Sequence, residues 1–163
     1  MASELIEPHF LVIWHSRTGA SEAMARAAAS DRSAILVSAA DASAAQLMKA
    51  GAYLFVCPEN LASMSGLMKE MFDRNYYPVL GKIEGRPFAS IIAAGSDGEG
   101  AQRQMDRIAT GWRLRRVAEP LIVNFSAETK QAILAPKTVP DAVLQQCCEL
   151  GATLGEGLRC GVF

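Results

Sequence analysis

Three hydroxyls and one glycine crowd the stretch His15-Ser16-Arg17-Thr18-Gly19-Ala20-Ser21, and an alanine-rich segment with helix-forming composition, Glu22 to Ser30, follows at once. A helix start carries unpaired N–H groups and a partial positive charge, so anions settle there. Ser16, Thr18 and Ser21 add hydroxyl donors, Gly19 permits the turn and a close backbone approach, and Arg17 and Ala20 complete the loop. Such a cluster is a cradle for a phosphate monoester. The plainer alternative is that Ser21 caps the helix and the other side chains decorate a turn. His15, next to the cradle, either helps to hold or orient the phosphate or is structural.

Two further stretches have the composition of ligand loops. One is Pro58-Glu59-Asn60-Leu61-Ala62-Ser63-Met64-Ser65-Gly66, which runs into Leu67-Met68-Lys69-Glu70-Met71-Phe72-Asp73-Arg74. The other is Gly95-Ser96-Asp97-Gly98-Glu99-Gly100-Ala101, with three glycines within six residues. Those glycines let the backbone bend and bring N–H groups against a ligand edge with no side chain between. Asp97 and Glu99 face solvent, cap the next helix or touch the ligand. Lys69 and Asp73, four residues apart, fit a solvated helix pair better than a catalytic one.

What must hold these loops is an alternation of strands and helices. Five short apolar runs without polar alternation, Phe10 to Trp14, Ala34 to Ser38, Ala52 to Cys57, Phe88 to Ala94 and Glu119 to Asn124, have the pattern of strands covered on both faces. Helix-period segments lie between and after them, at Ser21 to Ser30, Ala42 to Ala50, Gly66 to Asn75, Gly100 to Leu114 and Pro140 to about Leu158. The stretch Ser126 to Thr138 is the least regular and has room for a short helix. In a chain the length of one domain, residues 1–163, this alternation demands right-handed crossovers and a parallel α/β sheet sandwiched between helices. Ligands of such sheets sit beyond the carboxyl ends of the strands, where all three loops fall.

Ser16-x-Thr18-Gly19-x-Ser21 resembles the T/S-x-T-G-x-T/S phosphate loop of the flavodoxins, in the required place between first strand and first helix. Pro58, Glu59, Gly66, Lys69 and Asp73 resemble the middle loop and helix of the NAD(P)H-dependent FMN reductases and related quinone reductases, with Asn60 where that family carries tyrosine. The glycine loop is similar to the one after the same strand in those reductases. The resemblance, spanning roughly Phe10 to Val123, implies a flavodoxin-like doubly wound sandwich, a five-stranded parallel sheet of order 2-1-3-4-5 with helices on both faces, and FMN held by Ser16, Arg17, Thr18, Gly19, Ala20 and Ser21 at the phosphate. Around the ring it implies Pro58, Glu59, Asn60, Leu61, Ser63 and Met64 in one loop and Gly95, Ser96, Asp97, Gly98 and Gly100 in the other. A flavin needs apolar contact on its faces and polar groups around its pyrimidine edge. Leu61 and Met64 suit the first; Asn60, Ser63 and Ser65 suit the second. Met64 is equally suited to plugging its helix against the sheet.

With FMN bound, the cofactor carries the electrons, so no catalytic side chain and no metal ligand set is expected. NADH or NADPH would be the donor and a quinone, flavin or other small molecule the acceptor. The alternatives are an electron carrier for a protein partner and an interaction module without turnover. Dedicated flavodoxins are expected to be strongly acidic, whereas 16 basic residues here face 17 acidic ones, which favours the enzyme.

That balance also argues against a nucleic-acid partner. No G-x-x-x-x-G-K-S/T or G-x-G-x-x-G follows the first strand, and His15 and Cys57 stand where a receiver domain needs acids. No apolar run is long enough to span a bilayer, and Met1 to His9 carries Glu4 and Glu7 rather than a basic end and apolar stretch, so a cytoplasmic protein is expected. The cysteines, Cys57, Cys147, Cys148 and Cys160, form no C-x-x-C pair and fit reduced thiols, Cys57 as a small hydrophobe at a strand end. Trp14 and Trp112 fit core or interface positions. The family resemblance further suggests a homodimer or homotetramer, with Met71, Phe72, Tyr76 and Tyr77 in the segment Met68 to Leu80 as a contact surface.

Overall fold

The computed structural model describes residues 7–163, so part of the amino-terminal stretch read above, residues 1–6, lies outside the described residues. The elements, in chain order, are β1 (Phe10–Trp14), α1 (Ala20–Ala28), β2 (Ala34–Ser38), α2 (Ala44–Lys49), β3 (Ala52–Asn60), β4 (Ser63–Met64) and α3 (Gly66–Val79). They continue as β5 (Pro87–Ala94), α4 (Glu99–Gly111), β6 (Arg115–Arg116), β7 (Leu121–Asn124), α5 (Lys130–Leu134) and α6 (Asp141–Arg159). The parallel sheet runs β2-β1-β3-β5-β6, and β7 also pairs with β5. The expected order is therefore present, with the last position shared. β6 pairs the start of β5, Phe88 opposite Arg116, and β7 pairs its end, Ala94 opposite Asn124.

Alternate side chains of each strand enter opposite cores, as a pleated strand requires. Leu11, Ile13, Tyr53, Phe55, Cys57 and Ile92 pack with Leu47, Met68, Phe72, Met105 and Trp112 beneath α2, α3 and α4. Phe10, Val12, Leu54, Val56 and Ile91 pack with Met24, Ala28, Cys147 and Leu154 beneath α1 and α6. Burial on both faces explains why the strands lack polar alternation. The chain winds outward from β1 to β2 and then returns across β1 to β3. The winding direction reverses between β1 and β3, and a crevice opens at their carboxyl ends.

The structure differs from expectation in two places. β3 continues to Asn60, because Glu59 and Asn60 pair antiparallel with Met64 and Ser63 in a tight hairpin. α3 runs on to Val79, and its Met68, Met71 and Phe72 are fully in the core; of the large hydrophobic side chains in the anticipated contact surface only Tyr76, Tyr77 and Leu80 are exposed. Of the two placements expected for Trp112 the structure has the core one, edge-on to Phe72 with ring centroids 5.0 Å apart. No helix of the described residues is long and apolar enough to cross a membrane.

Candidate functional site

A cavity of about 710 Å³ lies at the carboxyl ends of β1, β3 and β5. That is within the range of pockets that enclose a cofactor. Its floor at one end is the β1–α1 loop, where Ser16, Arg17, Thr18, Ala20 and Ser21 line it. Gly19, the residue before α1, has φ of 96°, a left-handed conformation that turns the chain into the helix. Its N–H donates to Ser16 Oγ at 3.1 Å. Ser21 is almost fully buried, and its Oγ is the one buried side-chain nitrogen or oxygen among the described residues without a hydrogen-bond partner. A buried hydroxyl left unpaired costs about 1–3 kcal/mol. At the amino end of a helix, lining a cavity, it has the arrangement of a donor waiting for an anion.

The second wall is the end of β3 and its hairpin: Pro58, Glu59, Asn60, Leu61 and Ala62. Leu61 and Ala62 form the two-residue turn, with φ of 53° and 61°. A type I′ hairpin needs both to be left-handed and prefers Asn-Gly, so a Leu-Ala pair carries strain of about 1–2 kcal/mol per residue. α4 holds the turn in place. Gln104 Oε1 accepts from the Met64 N–H at 2.8 Å and the Ser63 hydroxyl at 3.0 Å. Leu61 is left fully exposed at the cavity rim.

Several residues expected around a ligand are engaged by the protein itself. Met64 is in the core, and Ser63 is tied to Gln104. Gly98 and Gly100 do not line the cavity: a Cβ on Gly98 would strike Ile122, and one on Gly100 would strike the Ala62 carbonyl. Asp97 is exposed and Gly95 and Ser96 line the cavity. Glu59 lines it too, but its carboxylate caps α4, with Oε1 accepting from the Gly98 N–H at 2.9 Å and Oε2 from the Ala101 N–H at 3.0 Å. The glycines thus bring α4 close enough to β7 and to the hairpin for that bond to form.

His15 turns from the cavity, its Nδ1 2.8 Å from Ser65 Oγ. Burial, and then the charge of Arg17, hold its pKa below the ordinary histidine value. It joins the end of β1 to the start of α3. Cys57 is fully buried, and its thiol is pushed up to about 12 by that burial, so it is inert at neutral pH.

The third wall comes from residues that the sequence did not single out: Phe125, Ala127, Ile133, Leu134 and Lys137. The Phe125 N–H donates to the Ala94 carbonyl at 2.8 Å and the Ala127 N–H to the Gly95 carbonyl at 2.7 Å, which continues the β5–β7 pairing into the loop. The Lys137 N–H donates to the Thr18 carbonyl at 2.8 Å and fastens this segment to the β1–α1 loop. Its ammonium gathers the carbonyls of Ala132 and Ala135, at 2.7 and 2.6 Å, and closes the end of α5. Thr129 caps the other end by accepting from the Ala132 N–H. The result presents Ile133 and Leu134, both exposed, to the cavity. Only the spacing of Thr129, Ile133, Leu134 and Lys137 marks this wall in the sequence, and a five-residue helix gives little periodicity to detect.

The described residues fit an FMN phosphate and ring: an unpaired buried hydroxyl at a helix start, a rim of apolar side chains, and a single carboxylate that is already bonded elsewhere. The family model for NADPH-dependent FMN reductase matches residues 22–128, starting just after Ser21. No curated protein matches the chain in sequence. Among solved structures, a flavodoxin from the domain Archaea has a TM-score of 0.77 at 18% identity, covering 93% of this chain and 99% of that one. A flavodoxin, WrbA-like protein from Agrobacterium tumefaciens has a TM-score of 0.76 at 18% identity, covering 94% and 98%. Rubredoxin oxygen:oxidoreductase from Desulfovibrio gigas has a TM-score of 0.73 at 16% identity, covering 96% of this chain and 38% of that one. At these identities the likeness is one of fold.

Proposed function

The chain belongs to the NADPH-dependent FMN reductase family, and from that membership we propose that it is an FMN-dependent oxidoreductase that takes electrons from a reduced nicotinamide and passes them to a small acceptor such as a quinone or a flavin. The observation that carries the reading is the Ser21 hydroxyl, buried without a partner at the amino end of α1 inside the cavity.

Ser16, Thr18 and Ser21, with the first-turn amides of α1, would hold the phosphate. The backbone of Asn60, Gly95 and Ser96 would meet the polar edge of the ring. Leu61, Phe125, Ile133 and Leu134 would cover its faces and exclude water, the last three doing the work of the aromatic contact that Asn60 lacks. When bound, FMN supplies electron-pair transfer between nicotinamide and acceptor. The chain's part is position and exclusion of solvent, without a nucleophile or an acid–base pair.

The test is an absorbance titration with FMN, followed by NADH or NADPH under anaerobic conditions. Saturable binding and rapid bleaching support the enzyme. Binding without bleaching by either nucleotide supports an electron carrier instead, and no binding removes the flavin reading. Replacing Ser16 and Thr18 with alanine should weaken FMN at least about 10-fold, the loss of about 1.4 kcal/mol of phosphate contact; unchanged affinity would contradict the placement of the phosphate.

A further inference from the structure

Lys137 lies outside residues 22–128, the stretch that matches the family model, yet it is fixed against the β1–α1 loop. Its N–H donates to the Thr18 carbonyl at 2.8 Å, and its own carbonyl oxygen is 4.0 Å from where a Cβ on Gly19 would stand. The side chain is half-buried and lines the same cavity as Ser16, Thr18 and Ser21. Three carbonyls hold the ammonium: those of Ala132 at 2.7 Å, Ala135 at 2.6 Å and Ile133 at 3.2 Å. Carbonyl groups orient a cation without cancelling its charge, and Lys137 takes part in no ion pair among the described residues. The cavity wall therefore carries one immobilised positive charge that lacks a counter-ion. Arg17, the other cationic residue that lines the cavity, is exposed. The Glu59 carboxylate is taken up by the N–H groups of Gly98 and Ala101.

We propose that Lys137 neutralises the phosphate of the bound flavin nucleotide, its ammonium acting together with the Ser21 hydroxyl and the first turn of α1. The inference rests on the flavin reading above and adds a binding residue from the third wall. A phosphate monoester carries about 1.5 to 2 negative charges at neutral pH, whereas a helix start offers only about half a positive one. Hydroxyls and amides complete its hydrogen bonds and leave most of that charge unbalanced. The Ser21 hydroxyl, buried without a partner in the same cavity, independently marks this end as the place for an anion. Charge-assisted contacts are about twice as strong as neutral ones, and an ammonium already held by three carbonyls loses little further freedom when the anion arrives. The same ammonium closes the end of α5, which presents Ile133 and Leu134 to the cavity. One lysine thus links the hold on the phosphate to the apolar cover of the ring.

The experiment is fluorescence titration with FMN and, separately, with riboflavin, which has the same ring and no phosphate. The parent protein should prefer FMN by at least about 100-fold. Lys137→Gln keeps N–H donors for the α5 carbonyls and removes the charge. It should weaken FMN at least about 10-fold and leave riboflavin within about 2-fold, so that the preference shrinks. Lys137→Arg, which returns a charge, should recover part of it. Arg17→Gln leaves Lys137 as the one cationic side chain on the cavity wall; it should keep most of the preference, which should then decline as salt is raised from about 0.05 to about 0.5 M. An FMN-to-riboflavin ratio unchanged in Lys137→Gln would overturn the proposal, whether both affinities drop, as a purely structural clasp on α5 requires, or neither does. A preference lost in Arg17→Gln would overturn it too, and that result does not depend on any Lys137 variant folding. Parent protein that binds FMN while Lys137→Gln keeps the parent ratio sinks the role of the lysine alone. Parent protein that binds neither flavin sinks the oxidoreductase reading along with it.

Discussion

Glu59, at the end of β3, and Gly98, at the start of α4, are joined by a 2.9 Å hydrogen bond from the Gly98 N–H to the carboxylate, whose other oxygen accepts from Ala101. The negative charge thus sits on the positive end of a 13-residue helix. This bond couples two walls of the cavity, because β3 carries the hairpin and the loop before α4 carries Gly95 and Ser96. Glu59→Gln keeps one acceptor and removes the charge, so unfolding free energy should fall by about 1–2 kcal/mol. Urea unfolding checks this. A variant as stable as the parent would mean that the carboxylate adds nothing beyond a neutral acceptor.

Ser21 allows a prediction of opposite sign in two states. In the free protein Ser21→Ala removes a buried hydroxyl with no partner, so the ligand-free melting temperature should stay level or rise. With FMN the same change removes a donor to the phosphate, and the dissociation constant should rise about 10-fold, or about 1.4 kcal/mol. Differential scanning fluorimetry with and without FMN measures both. A variant destabilised without ligand and unaltered in FMN affinity would make Ser21 an ordinary helix residue.

The sequence made the sheet legible because buried parallel strands are short runs of apolar residues set apart by helical periodicity, and Phe10 to Trp14 and Ala34 to Ser38 match the observed β1 and β2. The β1–α1 loop was legible as a candidate anion cradle because hydroxyls, glycine and a helix start are adjacent in the chain. The β3–β4 hairpin was hidden, since Leu61 and Ala62 have none of the Asn-Gly chemistry that marks such a turn. What Gly98 and Gly100 do was hidden as well. Their bare Cα atoms face Ile122 and the Ala62 carbonyl, partners more than 20 residues distant in sequence, and no local pattern distinguishes that from glycines that face a ligand. The wall of Phe125, Ile133 and Leu134 is assembled by backbone bonds between distant segments, Phe125 to Ala94 and Lys137 to Thr18.

Asp31 supplies a pH-dependent element away from the cavity. Burial alone would push its pKa up, but the hydrogen bonds from Arg159 and from the Ser33 N–H outweigh that and hold it below the ordinary aspartate value. The pair ties the end of α6 to the turn before β2, at 2.9 Å. A carboxyl depressed in the folded state stabilises fully above its unfolded pKa of about 3.9 and loses that contribution as pH falls through the lower folded value. Asp31→Asn should therefore be less stable than the parent at neutral pH, and the gap should close in acid. Unfolding midpoints measured down through the carboxylate range test this; a gap that stays constant across it would show that ionisation of Asp31 contributes nothing.

The hairpin tip sets local stability against ligand contact. Leu61 and Ala62 both occupy the left-handed region, where a leucine side chain is disfavoured and an asparagine or glycine is not. Replacing the pair with the residues that type I′ turns prefer, Leu61→Asn with Ala62→Gly, should raise unfolding free energy by about 1–2 kcal/mol by relieving that strain. If the strain served no purpose, FMN affinity would be unchanged. Leu61, however, is fully exposed at the rim of a cavity otherwise lined by Phe125, Ile133 and Leu134, and its burial against a bound ring would add about 1.5–3 kcal/mol. The double variant should therefore melt higher without ligand and bind FMN at least about 10-fold more weakly, the lower end of that range. Paired urea unfolding and FMN titration read the two effects separately. A variant that gained stability and kept its affinity would show that the ring makes no contact with Leu61, and the apolar cover would then have to come from the α5 wall alone.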